Sequence, residues 1–406
     1  MAIVKLSLVI LFLIVLISRK IDLWIALFIC SIITAFFFGV KLQDFFKVFF
    51  FTIKDWSTIS IILIIFFVLF LSSLLESGES LEVLKNSVNK IVTNKTFQLV
   101  LPSALIGLLP MPGGALLGAP LVKSTAKGTN LDGAKLTFIN YWFRHIWEYF
   151  WPLYPGLILT STLCKIPLKE LSRNQFIFTP LAISTGLYVL IKFNIPKERT
   201  KRDLKYIFPL LFSISPIILI VLLFAVFKID IVISVAISTT LTLIFLLIRK
   251  KVNIKSALKE VNYKAIIVIF FILFFKNILN SSGGLKELSL SLSGVPKIYV
   301  FILLFYLLPL MTGFLTGVNQ AYVAVSFPLF IPFLKGLPEQ TILNTVGIAY
   351  ISGFAGVLLS PTHLCLVLTK EYFKARFIDV YKLLLFPVII MMIGALILGI
   401  FTFPYF

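Results

Sequence analysis

Long apolar runs with few charged residues dominate the sequence, and they constrain the fold more than any other feature. A membrane-crossing α-helix needs about 17–25 mostly apolar residues, because the hydrocarbon core is about 30 Å thick. A helix also satisfies its own backbone polar groups, as lipid requires. The sequence therefore predicts an all-α polytopic membrane protein. Its plain spans are predicted at residues 3–18, 21–40, 56–75, 175–191, 206–227, 229–248, 265–280 and 381–403.

The composition excludes several classes of protein. Of 406 residues, 59% are hydrophobic and 13% are charged, whereas about 25% are charged in an ordinary soluble domain. A soluble chain of this kind could not cover its core with polar surface. A soluble enzyme, a secreted disulfide-linked module and a disordered protein are thereby excluded. Cys30, Cys164 and Cys365 are scattered in or beside apolar runs, a spacing typical of neither a disulfide framework nor a metal site.

Basic residues outnumber acidic ones by 37 to 17, and most lie in short loops between apolar runs. This distribution indicates contact with the headgroups of a lipid bilayer and the positive-inside rule, not nucleic-acid binding. Six loops predicted to share one face carry 24 Lys and Arg residues, against about 11 on the other face. That face is predicted to be cytoplasmic, which leaves both termini outside. The six loops are residues 19–20, 76–95, 123–135, 192–205, 249–264 and 370–382.

Two apolar regions contain helix-breaking residues in their middle. Residues 97–122 and residues 298–334 each have two apolar arms around prolines and glycines. The arms of the first region are about 13 residues, or roughly 20 Å at 1.5 Å per residue, which is too short for two crossings. We therefore expect both regions to form re-entrant hairpins.

Two further regions are predicted to be broken helices. Residues 134–163 are interrupted at 151–155, and residues 341–369 are interrupted at 360–362. Proline causes both interruptions, because it removes a backbone donor and disfavours helix at the preceding residue.

These unusual segments recur in the same order in two halves of the chain. Gly107 matches Gly313, Pro120 matches Pro328 and Pro152 matches Pro361, so the offset drifts only slightly along the sequence. The order predicts an internal repeat with halves at residues 1–195 and 196–406. Each half has five crossings and one hairpin, giving about ten transmembrane helices in all. An odd number of crossings makes the two repeats inverted in topology, which is typical of secondary transporters.

Candidate binding residues lie at the two hairpin tips. Asn319 and Gln320, flanked by Thr312 and Thr316, are candidates for contact with a ligand or with Na⁺; the alternative is an amide that caps the turn. Pro112, Gly113 and Gly114 form the other tip, where glycine lets the backbone approach a ligand closely; ordinary turn chemistry is the alternative.

Ionisable residues lie near both breaks. Arg144, His145 and Glu148 are predicted to share one helix, where Arg144 and Glu148 could pair across one turn. They could bind an anion and carry a proton, or form a structural ion pair.

His363 follows the second break directly and is a candidate proton carrier or a packing residue. Ser360 and Thr362 could supply hydroxyl ligands. The sequence contains no metalloprotease, phosphate-loop or nucleophile-elbow motif. We therefore expect neither an enzyme nor a cofactor.

Three motifs resemble a known family. Residues 109–115 read Leu-Pro-Met-Pro-Gly-Gly-Ala, residues 140–149 read Asn-Tyr-Trp-Phe-Arg-His-Ile-Trp-Glu-Tyr, and residues 360–366 read Ser-Pro-Thr-His-Leu-Cys-Leu. They resemble the domain-of-unknown-function 401 family of prokaryotic integral membrane proteins, almost end to end. The layout is similar to the ion transporter superfamily, which includes divalent-anion/Na⁺ symporters, gluconate permeases and the large membrane subunit of tripartite periplasmic transporters.

The superfamily resemblance implies substrate-binding tips near residues 110–115 and 316–320, an elevator mechanism, a homodimer and a place in the cytoplasmic membrane of a prokaryote. Sodium-coupled relatives carry Ser-Asn-Thr at both tips, whereas only the second tip here has a polar side-chain pair. The coupling ion therefore stays open between H⁺ and Na⁺.

The expected function is secondary active transport of a small organic anion, in particular a carboxylate. The alternatives are a membrane subunit that requires a separate solute-binding protein, a cation/H⁺ antiporter and a channel.

Overall fold

The structure, a computed structural model, describes residues 2–77, 80–111, 114–196, 202–292 and 294–402, and the regular elements of this part of the chain are helices. Those before residue 196 are α1 (Ala2–Ser18), α2 (Leu23–Phe37), α3 (Leu42–Lys54), α4 (Trp56–Ser77), α5 (Ser80–Ile91), α6 (Lys95–Ile106), α7 (Ala115–Thr125), α8 (Gly133–His145), α9 (Pro155–Cys164), α10 (Leu168–Gln175) and α11 (Phe178–Ile191).

The helices after residue 202 are accompanied by short 3₁₀ and π segments that extend some of them. They are α12 (Ile207–Val221), α13 (Ile231–Ile248), α14 (Ile254–Glu260), α15 (Tyr263–Ser281), α16 (Gly284–Leu292), α17 (Lys297–Phe301), α18 (Leu308–Thr316), α19 (Asn319–Phe330), α20 (Glu339–Leu359), α21 (Leu364–Tyr372) and α22 (Phe377–Thr402).

Within the described residues, eight helical segments are long and apolar enough to cross a membrane. Six of them fall on predicted plain spans. The first two predicted spans form the shorter apolar helices α1 and α2; α2 stops before Gly39, which has a φ of +67°. The all-helical, multi-span architecture predicted from the sequence is confirmed.

The first predicted hairpin consists of two short helices, α6 and α7, which pack against each other. α6 has 12 residues and α7 has 11. Pro112 and Gly113, the predicted tip residues, lie outside the described residues.

The second predicted hairpin differs from the first in length. Its first arm, Lys297–Thr316, is continuous over 20 residues and long enough to cross a membrane. Pro309 does not break this arm, because it follows a π-helical segment, Ile302–Leu307, that widens the turn. The chain reverses only at Gly317, whose φ is +65°.

The first broken helix ends earlier than the sequence predicts. α8 ends at His145, and the chain is non-α from residue 146 to Tyr154. Trp147, Trp151 and Tyr154 donate hydrogen bonds to carbonyls of residues 104, 108 and 107. These aromatic donors satisfy carbonyls that the end of α6 leaves without intrahelical partners.

The second broken helix is interrupted between Leu359 and Leu364, around Pro361. α20 packs along α18, and α8 packs along α6. α19 packs on α9, while α7 packs on α21. These contacts bring both breaks and the second hairpin tip close to residues 110–111, at the end of the first hairpin arm.

Loops that the sequence assigns to one face meet in pairs. Lys264, in the 249–264 loop, forms an ion pair at 3.1 Å with Asp22, which lies just after the 19–20 loop. The backbone N–H of Asp203 donates to the carbonyl of Lys90 at 2.9 Å. Gly133 lies against the Phe373 carbonyl so closely that a Cβ there would be 2.3 Å from the oxygen.

Candidate functional site

A cavity of about 430 Å³ lies where the two breaks meet the second hairpin tip and the edge of the first. Its apolar wall comes from α4, α15 and the residues around Pro110. Its polar wall brings together side chains that are more than 100 residues apart in sequence. These include Arg144, His145, Glu148, Asn319, Gln320, Thr362, His363 and Cys365.

Three helix N-termini face this cavity. The residues at the starts of α9, α19 and α21 line it, and the N-cap residues Tyr154, Val318 and His363 make no side-chain cap. Some other helices do carry a side-chain cap, since Asn94 caps α6 and Asp132 caps α8. Because the first N–H groups of a helix have no intrahelical partner, the three N-termini supply donors and positive dipole ends.

Arg144, the penultimate residue of α8, is 2% exposed. One of its terminal nitrogens donates to the Met111 carbonyl at 2.8 Å. Its Nε is buried and has no hydrogen-bond partner among the described residues. The guanidinium lies over Gly114, where a Cβ would approach Nη2 to 2.6 Å. Glycine at this position therefore allows the arginine to reach the first hairpin.

Glu148 lies in the break and not in the helix in which the sequence places it. Its Oε1 is 4.0 Å from Arg144 Nη1, so the predicted one-turn pair forms only at the limit of an ion pair. The closer partner is Asn319, whose Nδ2 donates to Oε2 at 2.6 Å. The Tyr350 hydroxyl holds the backbone carbonyl of Glu148 at 2.9 Å. Asn319 therefore joins the second hairpin tip to the first break.

His145 and His363 meet across the cavity wall. Their Nε2 atoms are 3.2 Å apart, and Nδ1 of His363 lies 2.7 Å from the Gly317 carbonyl. Cys365 is close to both rings: its Sγ and one nitrogen of each histidine lie within 4.8 Å of one another. This cysteine was missed from the sequence, because its partner His145 lies more than 200 residues away.

A second cavity of about 570 Å³ adjoins the first and shares Leu69, Met111 and Asn262 with it. Glu76 and Glu260 line it. Both glutamates belong to loops that the sequence assigns to the basic face. The second cavity therefore lies beside these two loops.

The predicted site residues divide into two groups. Gly114, Arg144, His145, Glu148, Asn319, Gln320, Thr362 and His363 line one of the cavities. Thr316 and Ser360 do not: Thr316 donates to the Thr312 carbonyl, and Ser360 shares a hydrogen bond with Thr362. Their hydroxyls stabilise the hairpin tip and the second break.

Comparison with known proteins identifies the family to which the chain belongs. No curated protein matches the chain. A family described only as proteins of unknown function, DUF401, matches residues 2–401, which is nearly the whole sequence. The chain therefore belongs to the DUF401 family.

Proposed function

We propose that this protein is a secondary active transporter that moves a small organic anion, a carboxylate, across the cytoplasmic membrane of a prokaryote, with H⁺ or Na⁺ as the coupling ion. One observation carries the proposal. The N-termini of three helices and the buried guanidinium of Arg144 meet at one cavity.

The electrostatics of this cavity favour an anion. Each helix N-terminus carries roughly half a positive charge, and its free N–H groups bind carboxylate or phosphate oxygens. Buried donors are almost always paired, so the unpaired Nε of Arg144 is a position for a ligand oxygen. The cavity volume of about 430 Å³ is within the range of small-molecule sites.

Side-chain oxygens of Asn319 and Glu148, near the second hairpin tip, favour binding of a cation in addition to the anion. Asn319 Oδ1 is buried and has no hydrogen-bond partner in the described part of the chain. Glu148 is bound to the same amide group. Carboxylate and amide oxygens are the ligands that hard cations prefer, which favours the predicted Na⁺ position near Asn319.

The helix packing supports an inverted repeat. α2 packs on α15, and its counterpart α13 packs on α4, the counterpart of α15. The pairs formed by α9 with α19 and by α21 with α7 are related in the same way. Such reciprocal pairs are what a pseudo-two-fold axis generates.

A pair of glycines gives independent support for the repeat. A Cβ at Gly107 would lie 2.1 Å from the Arg144 carbonyl oxygen, and a Cβ at Gly313 would lie 2.1 Å from that of Gly353. Arg144 and Gly353 are related by the offset that matches Pro152 to Pro361. Both crossings of a hairpin arm with a broken helix therefore depend on a glycine at the matched position.

The first hairpin is proposed to be re-entrant. At 1.5 Å per residue its arms are about 18 and 16 Å long, well short of a bilayer core of about 30 Å. With the basic face in the cytoplasm, this hairpin enters from inside and the second from outside. The cavities then open inward, so this arrangement is an inward-open state with both chain termini outside.

Alternating access is proposed to move the hairpins and broken helices against a frame that includes α2, α4, α13 and α15. This is the elevator arrangement implied by the resemblance to the ion transporter superfamily, and we propose a homodimer on the same ground. The chain on its own is proposed to bind its solute, without a separate binding protein.

The experiment is a thermal-stability screen of the detergent-purified protein against carboxylates, amino acids and sugars, in NaCl and in choline chloride, at two pH values. A ligand at 100 times its Kd adds about 2.7 kcal/mol of stability. We expect a carboxylate to raise the Tm. Dependence on Na⁺ would identify Na⁺ coupling, whereas dependence on pH alone would identify H⁺ coupling.

Arg144→Gln is the diagnostic variant, and it should lose the carboxylate-dependent shift. Arg173→Gln is the matched control, because Arg173 is 75% exposed and pairs with Glu170 on the protein surface. Absence of a shift with every solute would contradict direct anion binding and favour a binding-protein-dependent subunit. Uncoupled flux of cations through proteoliposomes would favour a channel.

A further inference from the structure

His145, His363 and Cys365 form a cluster of three donor atoms on the cavity wall. The two Nε2 atoms are 3.2 Å apart, and the cysteine sulfur and one nitrogen of each ring lie within 4.8 Å of one another. The side chains come from the end of α8 and from the start of α21, where His363 is the N-cap, so two distant parts of the chain converge on one point. His145 and Cys365 are buried, and His363 is partly buried.

The backbone fixes which nitrogen of each ring carries the proton. Nδ1 of His145 lies 2.5 Å from the Tyr141 carbonyl, and Nδ1 of His363 lies 2.7 Å from the Gly317 carbonyl. A carbonyl oxygen only accepts, so both Nδ1 atoms donate. In the neutral rings each Nε2 is then a bare lone pair directed at the other. This arrangement is unfavourable unless a positive charge lies between the two nitrogens, either a metal ion bound by both rings or a proton that makes one ring a donor to the other.

The spacing fits a tetrahedral metal ion. With Zn–N bonds of 2.0–2.1 Å, tetrahedral geometry places two ligating nitrogens about 3.3 Å apart, close to the observed 3.2 Å. A histidine that ligates a metal almost always donates its other nitrogen to a carbonyl or carboxylate, as both rings do here. A sulfur ligand would lie about 3.6 Å from each nitrogen. The Cys365 sulfur lies within 4.8 Å of one nitrogen of each ring, so it needs a shift of roughly 1.2 Å or less to reach the ligand distance.

We propose that His145, His363 and Cys365 bind a transition-metal ion of tetrahedral preference, of the Zn²⁺ class. Two imidazoles and a thiolate suit such an ion, whereas Na⁺, Mg²⁺ and Ca²⁺ prefer oxygen. The site goes beyond the transport proposal and does not depend on it. Three protein ligands leave a fourth coordination position, and all three residues line the cavity.

Charge in the surroundings is compatible with this occupant. Glu148 Oε1 lies 3.7 Å from His145 Nε2, where it can compensate the ion or provide the fourth ligand. Arg144 lines the same cavity and donates a hydrogen bond to the Met111 carbonyl. With a divalent ion bound, the positive charges of the ion and Arg144 exceed the negative charges of the Cys365 thiolate and the Glu148 carboxylate by one unit. The metal-bound cavity therefore still attracts an anion.

The test is titration of chelator-treated, detergent-purified protein with Co²⁺, followed by absorbance, and with Zn²⁺, followed by calorimetry. We expect one ion per chain, tetrahedral d–d bands and a thiolate-to-cobalt charge-transfer band. Cys365→Ser should remove the charge-transfer band and weaken Zn²⁺ binding by at least about 10-fold. Cys30→Ser and Cys164→Ser are matched controls that should keep both signals, since both cysteines lie outside the cluster.

A second measurement needs no variant. Zn²⁺ should slow alkylation of Cys365 by a membrane-permeant thiol reagent, read by mass spectrometry, and should leave the rate at the partly exposed Cys164 unchanged. Absence of metal binding in the unmodified protein, or bands that survive Cys365→Ser, would overturn the proposal. Carboxylate stabilisation of the metal-free protein is read separately, so failure of the metal site and failure of the transport proposal are distinguishable.

Discussion

Asn319 donates a hydrogen bond of 2.6 Å from Nδ2 to Oε2 of Glu148. The two residues are 171 positions apart, one at the first residue of α19 and the other in the break between α8 and α9. A short bond to a charged acceptor is worth about 1.5–3 kcal/mol, and removing the donor leaves a buried carboxylate without it. This contact therefore couples the second hairpin tip to the first broken helix.

Replacing Asn319 by Ala is expected to abolish stabilisation by the carboxylate and to lower stability by about 1.5–3 kcal/mol, while the protein still folds. The reason is the loss of both the Glu148 contact and the free Oδ1. Ligand-dependent thermal unfolding measures both effects. Asn344→Ala is the control, because Asn344 accepts a hydrogen bond from Gln340 at the surface, away from the cavity. Normal transport by the Asn319 variant would refute the site assignment.

Gly317→Ala should separate the second hairpin from the second break. A Cβ there would lie 2.7 Å from the backbone nitrogen of His363 and 2.8 Å from Thr362 Oγ1. Gly39→Ala is a matched control, because Gly39 has nearly the same φ but nothing within 4 Å of its Cβ position.

Both variants should lose about 1–2 kcal/mol to the left-handed backbone, and Gly317→Ala should lose about 1–3 kcal/mol more from overpacking. Denaturant unfolding in mixed micelles measures the difference. Equal losses in the two variants would contradict the contact with the break.

Gly107→Ala and Gly313→Ala should each be severely destabilising, since each added methyl would collide with a carbonyl on the crossing helix. Backbone cannot yield as a flexible side chain can. Gly399→Ala should be tolerated, because its nearest neighbours would be 3.6 Å away. Yield of folded protein in detergent and Tm provide the comparison. Tolerance of one substitution and not the other would argue against equivalent crossings in the two repeats.

Glu260→Cys and Gln340→Cys test the orientation of the chain. Both positions are exposed, and the proposed topology places them on opposite faces. In a background without the native cysteines, a membrane-impermeant maleimide should label Glu260→Cys only from the cytoplasmic side. It should label Gln340→Cys only from outside. The reverse pattern would invert the proposed orientation and turn the cavity mouth outward.

Much of the helical architecture could be predicted from local sequence. Apolar length located the plain spans, and the Pro- and Gly-rich middle of 97–122 located the gap between α6 and α7. The prediction that prolines break the first arm of the second hairpin was wrong at Pro309, because a π-helical segment precedes this proline and the helix continues through it. The sequence also placed Glu148 inside a helix, whereas it lies in the break. The reason is that aromatic side chains of the break bind carbonyls at the end of α6.

The sequence by itself determined that the chain is an all-helical membrane protein and which polar residues lie in apolar surroundings, since both follow from local composition. Only the tertiary structure decided which of these residues meet. Asn319 with Glu148, and His145 with His363 and Cys365, are brought together by packing between distant helices. No periodicity along the chain records such contacts, because they depend on how whole helices cross in space.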